Sequence, residues 1–232
     1  MVKIFKNGLT VIMPALNEEL NITPSVQMVE RVLKKINVDY ELVIVNDGST
    51  DETAKIIKEL KRVNSRIKSI DHKHPIGMGG CYIKVLRIAR MSHFMHIVSK
   101  NECDEASIEK IVSLRNKASI IIPYTSNMNE RDYLRQVLSK IYTKILNLIT
   151  SFNLKYYNGT VLYRTDLLKS IKFSAHYHTF QAEALIKLLL KKNTFIEIPI
   201  IVNWNKGHRT SAFTIKNIKS VFFFILKLLF QK

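Results

Sequence analysis

The sequence predicts an α/β fold: a mainly parallel sheet with helices on both faces, followed by a C-terminal amphipathic helix. Three observations carry that expectation. Short apolar runs alternate with amphipathic stretches through the first half of the chain. Those runs are continuously apolar, as in strands buried on both faces, and helix-start signals fall between them. Composition agrees: 232 residues, 47% apolar and 24% charged, describe a water-soluble globular chain long enough for a substantial core, and exclude collagen-like, low-complexity and disulfide-scaffold classes.

In order, Leu9 to Met13 is an apolar run ending at Pro14, and Thr23-Pro24 reads as the cap and first position of a helix to about Ile36. Tyr40 to Val45 is a β-branched run, and Ser49 and Glu52 have capping-box spacing for a helix to about Arg62. Ile67–Ile70, Gly77–Arg90, His93–Val98, Ser107–Asn116 and Ala118–Ile122 continue the strand-helix alternation. After Pro123 the pattern changes: Leu134, Val137, Leu138, Ile141, Ile145, Leu148 and Ile149 recur at helical spacing up to about Thr150. Thr160–Arg164 and Phe195–Val202 read as strands around a helix from about Thr179 to Lys191, and a last helix begins near Thr214. The expected organisation is one domain over residues 1–213, with halves 1–123 and 124–213, and a basic helix over 214–232.

Charge divides unevenly. The chain has 36 Lys and Arg against 19 Asp and Glu, a net of +17, and residues 131–232 carry +13 of it. Such a field suits phosphorylated substrates, anionic lipid or nucleic acid, although lysine-rich composition is an alternative source for part of the total. Cys81 and Cys103 have no metal-finger spacing, which favours a reducing compartment. The amino terminus lacks an apolar signal core, and the apolar stretch Val221–Phe230 is too short to span a bilayer.

In an open α/β sheet, ligands sit beyond the carboxyl ends of the strands. The residues there are Pro14-Ala15-Leu16-Asn17-Glu18, Asn46-Asp47-Gly48-Ser49-Thr50-Asp51 and Ser99-Lys100-Asn101-Glu102. Each of Asn17, Ser49 and Asp51 could simply cap a helix; three polar loops after successive strands point to a site.

These segments resemble the family 2 glycosyltransferases of GT-A fold, in the branch of the dolichyl- and polyprenyl-phosphate sugar transferases. Thr10-Val-Ile-Met-Pro-Ala-Leu-Asn-Glu-Glu19 is similar to the family's first strand and PAxNE loop, and Glu41-Leu-Val-Ile-Val-Asn-Asp-Gly-Ser-Thr-Asp51 to its second strand and turn. Gly77-Met-Gly-Gly80, Tyr156-Tyr-Asn-Gly159 with Tyr163-Arg164, Gln181-Ala-Glu183 and Glu197-Ile-Pro199 resemble later signatures, so that the likeness runs from about residue 9 to 213. The resemblance implies that Pro14, Ala15, Asn17, Glu18, Gly48 and Gly77 line a nucleotide-sugar pocket, UDP- or GDP-linked, and that Asp47 accepts a base N–H. Gly77 to Gly80 also reads as an ordinary loop before a helix.

The family places an Asp-x-Asp after the fourth strand, and the branch tends to read Asp-Asn-Glu; here the residues are Lys100-Asn101-Glu102, with Asp104 just beyond. A hard cation, Mg or Mn, wants clustered carboxylates, and an ammonium repels it. Three readings stand: a cation held by Glu102 and Asp104, Lys100 itself neutralising the leaving diphosphate, or a catalytically weakened protein. Glu183 is the nearest candidate base, with a helix-face charge as its alternative. Arg131, Arg135, Asn158, Arg164, Lys206 and Arg209 are candidates to bind an acceptor phosphate. His176 and His178 flank Tyr177, with no third metal ligand evident.

The resemblance implies inverting transfer of a sugar to a polyprenyl-phosphate lipid, by a cytoplasmic protein peripheral to an anionic membrane. The basic, aromatic helix 214–232 suits such an interface, with packing on the domain or an oligomer contact as alternatives. A saccharide hydroxyl acceptor and a nucleic-acid-binding role are the competing readings; the second lacks any recognition helix or stacking sheet, so no specific nucleic acid is expected.

Overall fold

A computed structural model describes residues 5–100, 102–174, 179–204 and 215–230. Seven strands form one sheet: β1 Phe5–Ala15, β2 Tyr40–Asn46, β3 Ile67–Asp71, β4 Met91–His96, β5 Ile120–Thr125, β6 Leu162–Arg164 and β7 Phe195–Ile200. Their order is β3-β2-β1-β4-β6-β5-β7, and β6 alone runs antiparallel to both of its neighbours. The mainly parallel sheet covered on both faces is therefore as expected, with a single reversed strand in its interior.

Helices α1 Ile22–Lys35, α2 Thr53–Val63 and α4 Glu105–Ser113 cover one face, and α3 Gly77–Ile88, α5 Tyr133–Thr150, α6 Thr165–Lys169, α7 Phe180–Leu190 and α8 Ile215–Phe230 belong to the other. Val26, Val29 and Leu33 of α1 recur at helical spacing and are fully buried against Leu9, Val11 and Leu42 of the sheet. Burial of each such side chain contributes about 1.5–3 kcal/mol. Opposite them, Tyr82 of α3 stacks edge-on to Phe94 of β4 at 5.0 Å and packs on Phe180 of α7 at 4.7 Å, joining the two halves of the chain.

Three helix starts differ from expectation, α4 beginning at Glu105, two residues before Ser107, with Asp104 as its cap. α1 begins at Ile22 with Asn21 as its cap residue, so Pro24 lies in the first turn, where a missing N–H leaves nothing unpaired. α2 begins at Thr53, and the Ser49–Glu52 capping box does not form because the Ser49 hydroxyl accepts the Asn17 amide instead. The five-residue α6 and a 3-10 turn at Met128–Glu130 were not foreseen; neither is long enough to show a period. Among the described residues, no helix is long and apolar enough to cross a membrane.

Candidate active site

The carboxyl ends of β1, β2 and β4 are tied to one another by hydrogen bonds. The Ser99 hydroxyl donates to the Pro14 carbonyl at 2.7 Å, the Asp47 amide to the Ala15 carbonyl at 2.8 Å, and the Ser25 hydroxyl of α1 to the Ser99 carbonyl at 3.0 Å. These contacts fix the floor from which the loops rise.

The first two loops are zipped together. Asn17 adopts a left-handed conformation (φ 56°), which asparagine tolerates better than most residues. Its side-chain oxygen accepts the Thr50 amide at 2.8 Å, while its own amide donates to the Ser49 hydroxyl at 3.1 Å. The Glu18 amide donates to the Thr53 hydroxyl at 2.8 Å, and the Glu52 amide to the Glu19 carboxylate at 2.9 Å. Asn17, Ser49 and Asp51 thus do more than cap: Asp51 accepts both the Thr53 and the Glu19 amides, one within its own turn and one across the gap.

Asp47 organises a third loop. It is buried, and its Oδ1 accepts the Ile76 amide and the His72 Nδ1, each at 2.9 Å, while Oδ2 accepts the Gly77 amide at 2.8 Å. Burial alone would raise its pKa, but these donors outweigh it and hold the carboxyl below the usual range. Lys84 Nζ donates to His72 Nε2 at 3.0 Å, which places the ring proton on Nδ1, facing Asp47. With the Cys81 thiol as a fourth donor, the carboxylate is fully engaged and orders residues 72–77 beside the zipped loops. Gly48 has φ 82°, and a Cβ there would lie 2.9 Å from Pro75 Cδ. Gly77 has φ 81° with open space beyond it, so its need for glycine is conformational alone.

His72 stands outside the three polar loops legible in the sequence, directly after β3. The position just after β3 was the available signal. His96, at the end of β4, also stands outside them: it is buried between Tyr82 and Phe180, its Nδ1 lies 3.2 Å from Gln181 Nε2, and burial lowers its pKa to about 4.

In the segment after β4, Asn101 lies outside the described residues. Lys100 Nζ stands 3.9 Å from Glu18 Oε1, so its ammonium reaches toward the first loop. Asp104 Oδ1 accepts the Ser107 amide at 2.8 Å as the N-cap of α4, which commits one of its oxygens. Cys103 bridges to Val202, and the Glu102 carbonyl accepts the Asn203 amide at 2.7 Å, pinning this segment to the chain beyond β7. With an ammonium at its head and one Asp104 oxygen occupied, the segment fits a hard divalent cation poorly.

Asp47, His72 and Cys81 form a group that could hold a metal ion, their ligand atoms lying within 4.8 Å of one another. As arranged, however, the carboxylate oxygens take three N–H bonds, and burial beside the Asp47 charge pushes the Cys81 thiol up to about 12, keeping it protonated. Such a set is softer than Mg or Mn prefers.

The candidate acceptor residues are dispersed. Arg131 lies over the Trp204 ring at 5.0 Å, and Trp204 Nε1 donates to the Asn127 carbonyl at 3.1 Å. Arg135 follows in the first turn of α5, capped by Asp132. Asn158 is exposed on the loop before β6. Arg164 pairs in register with His93, near the amino end of β4 and away from the zipped loops, and is ion-paired to Asp166. Glu183 is buried in α7, where its carboxylate accepts the Ser174 amide at 3.0 Å and Lys187 Nζ at 2.6 Å. Lys206, Arg209, His176 and His178 lie outside the described residues.

Comparison with known proteins follows the same lines. The family described as Glycosyl transferase family 2 matches residues 10–180. The chain is 23% identical over 176 residues to the dodecaprenyl-phosphate galacturonate synthase of Rhizobium johnstonii, a match covering 74% of this chain and 52% of that one. It is 21% identical over 217 residues to the dolichyl-phosphate beta-glucosyltransferase of Dictyostelium discoideum, covering 85% of this chain and 66% of that one. The chain thus spans about half the length of its Rhizobium relative. In fold it is similar to glucosyl-3-phosphoglycerate synthase from Mycobacterium tuberculosis in complex with uridine diphosphate, with a TM-score of 0.69 and 16% identity over 94% of this chain and 80% of that one. That protein has also been solved with Mg2+ and with Mn2+.

Proposed function

The chain belongs to glycosyl transferase family 2, and from that premise we propose that it transfers a sugar from a nucleoside-diphosphate sugar to a polyprenyl-phosphate lipid, with inversion. The observation that carries the reading is the convergence of three loops on Asp47, whose carboxylate orders residues 72–77 against the zipped loops at Asn17 and Ser49. In this reading Pro14, Ala15, Glu18 and Gly48 complete the wall of the donor pocket, and Asp47 accepts an N–H of the nucleotide base in place of the Cys81 thiol.

In this reading an acceptor phosphate oxygen attacks the anomeric carbon, and the bond from that carbon to the diphosphate breaks, its electron pair leaving on the nucleoside diphosphate. A phosphate monoester is largely dianionic above its second pKa of about 6. The nucleophile therefore needs no general base, and Glu183 serves to position α7 through Ser174 and Lys187. Lys100 supplies positive charge toward the leaving diphosphate as a point-charge binder.

The acceptor half presents its apolar groups to solvent. Tyr133, Leu134, Leu138, Ile141 and Leu148 of α5 are exposed, as are Phe222, Phe223, Leu229 and Phe230 of α8. Neither helix contains an acidic residue, whereas α5 carries Arg135, Lys140 and Lys144 and α8 Lys219 and Lys227. Apolar stripes flanked by cations alone complement an anionic bilayer, and we assign both helices to that surface.

Incubation with radiolabelled UDP- and GDP-sugars and polyprenyl phosphate in vesicles tests the reading: one donor should yield a lipid-linked sugar of inverted anomeric configuration. A product with a saccharide hydroxyl acceptor alone would overturn the lipid-phosphate assignment. The competing reading, a nucleotide-binding protein with weakened catalysis, is favoured by Lys100 itself; Lys100→Asp should then create turnover where the natural chain has none.

A further inference from the structure

A cavity of about 470 Å³ opens between α5 and the chain that follows it. Its volume is that of a small-molecule site, more than a lone ion requires. Most of its surface is apolar, with Met128 and Leu148 in the lining, and its polar groups include the cations Lys140, Lys144 and Lys155 and the hydroxyls Ser139, Thr143 and Tyr156, with no carboxylate. None of these residues belongs to the zipped loops.

The cavity wall is built, not incidental. Asn147 Oδ1 accepts the Leu154 amide at 3.1 Å and the Tyr157 hydroxyl at 2.8 Å, and its Nδ2 donates to the Leu154 carbonyl at 2.8 Å. This clamp folds the chain after α5 back along the helix and brings Lys155 and Tyr156 to the same cavity as Lys140 and Lys144. Lys155 is further fixed by donation to the Tyr124 hydroxyl at 3.1 Å, and its amide donates to Glu197 Oε1, a carboxylate outside the lining.

Lys140 and Lys144 stand one helical turn apart, an arrangement of like charges that destabilises a helix by a few tenths of a kcal/mol. Among the described residues neither has an ion-pair partner. An anion between them would relieve that repulsion, and hydroxyls beside ammonium groups are what phosphate oxygens bind. Leu148 both lines the cavity and is 82% exposed, so the opening lies beside the apolar stripe of α5.

We propose that this cavity is a second anion site that binds a phosphate group, carried either by a membrane lipid or by a small phosphate ester. The lipid source rests on the membrane reading above; phosphate binding itself does not.

Calorimetric titration tests it with glycerol 3-phosphate, with phosphatidylglycerol vesicles and with phosphatidylcholine vesicles, on the natural chain and on the Lys140→Gln/Lys144→Gln double variant. A Lys58→Gln/Lys61→Gln variant of α2, on the opposite face of the sheet, matches the loss of charge. The expected result is a loss of about tenfold or more in phosphate affinity in the α5 variant and little change in the α2 variant. Glycerol 3-phosphate binding that the α5 variant loses carries the site, and tighter binding of phosphatidylglycerol than of phosphatidylcholine vesicles beside it assigns the group to a lipid; binding to phosphatidylglycerol vesicles with none to glycerol 3-phosphate is what the cationic α5 and α8 surface alone gives and would overturn the cavity site. Equal losses in both variants, or no binding to any probe, would overturn the site. UDP titration of the α5 variant separates the two proposals, because the nucleotide pocket should be unaffected.

Discussion

The two regions of the chain solve opposite problems. In residues 5–123, the loops at the carboxyl ends of the strands bond chiefly to one another: Asn17 to Ser49 and Thr50, Glu18 to Thr53, Asp47 to three groups of the next loop. The second region leaves large apolar side chains in solvent on α5 and α8 and carries most of the net charge. Under the proposed function the difference teaches where rigidity is needed: pre-ordered loops for the nucleotide-sugar on one side, and on the other an exposed apolar and basic surface for the membrane.

Substitutions should separate these regions. The largest effect is expected from Asp47→Ala, which leaves the part-buried amides of Ile76 and Gly77 and the His72 ring N–H without their acceptor, at up to about 1–3 kcal/mol for each group that stays out of water. Urea unfolding should show a loss on the order of 3 kcal/mol, and UDP binding should fall by more than about 100-fold, each 1.4 kcal/mol being tenfold. Retention of UDP affinity in a folded Asp47→Ala protein would break the comparison.

The joint between the regions should respond to pH through His96. Its folded pKa, about 4, lies below the unfolded value of about 6.5 because burial penalises the imidazolium. Between those values the unfolded chain binds the proton and the folded chain does not, so stability falls as pH drops from 6.5 toward 4. From pH 7 to pH 5 the loss attributable to this group is on the order of 2 kcal/mol. His96→Gln should flatten that slope; an unchanged slope would remove His96 from the account.

Gly48→Ala tests the turn beneath the pocket. The left-handed φ costs a non-glycine residue about 1–2 kcal/mol, and the added methyl group would press on Pro75. A midpoint shift equivalent to that loss, with weakened UDP binding, is expected in chemical denaturation. The smallest stability effect belongs to the other region: Phe222→Ser with Phe223→Ser should change stability by about 0.5 kcal/mol or less, because both rings are exposed. Vesicle co-sedimentation should nevertheless drop, and a protein that binds vesicles as before would remove α8 from the membrane surface.

Legibility in the sequence followed the range of the interactions. β1, β2 and the loops after them could be read because apolar runs and loop chemistry are local signals. The reversal of β6 could not, since strand direction is set by pairing with β4 and β5 far along the chain. Likewise Ser49 and Glu52 had valid capping spacing, and a partner 32 residues away took the Ser49 oxygen. For the site, Asn17, Glu18 and Asp47 were named from their motifs, but the bond from Asp47 to His72 joins residues 25 apart and leaves no trace in either neighbourhood. Position in a motif also gave no sign that Arg164 pairs in register near the amino end of β4.

The most direct test of the account is calorimetric titration of UDP into the natural chain and into Lys100→Asp, each with Mg2+ and again with chelator. Saturable binding by the natural chain that survives chelation within about tenfold, together with metal-dependent binding by Lys100→Asp, is the predicted result. Absence of UDP and GDP binding in every condition, or binding by the natural chain that vanishes with chelator, would contradict a pocket organised by Asp47 in which Lys100 supplies the positive charge.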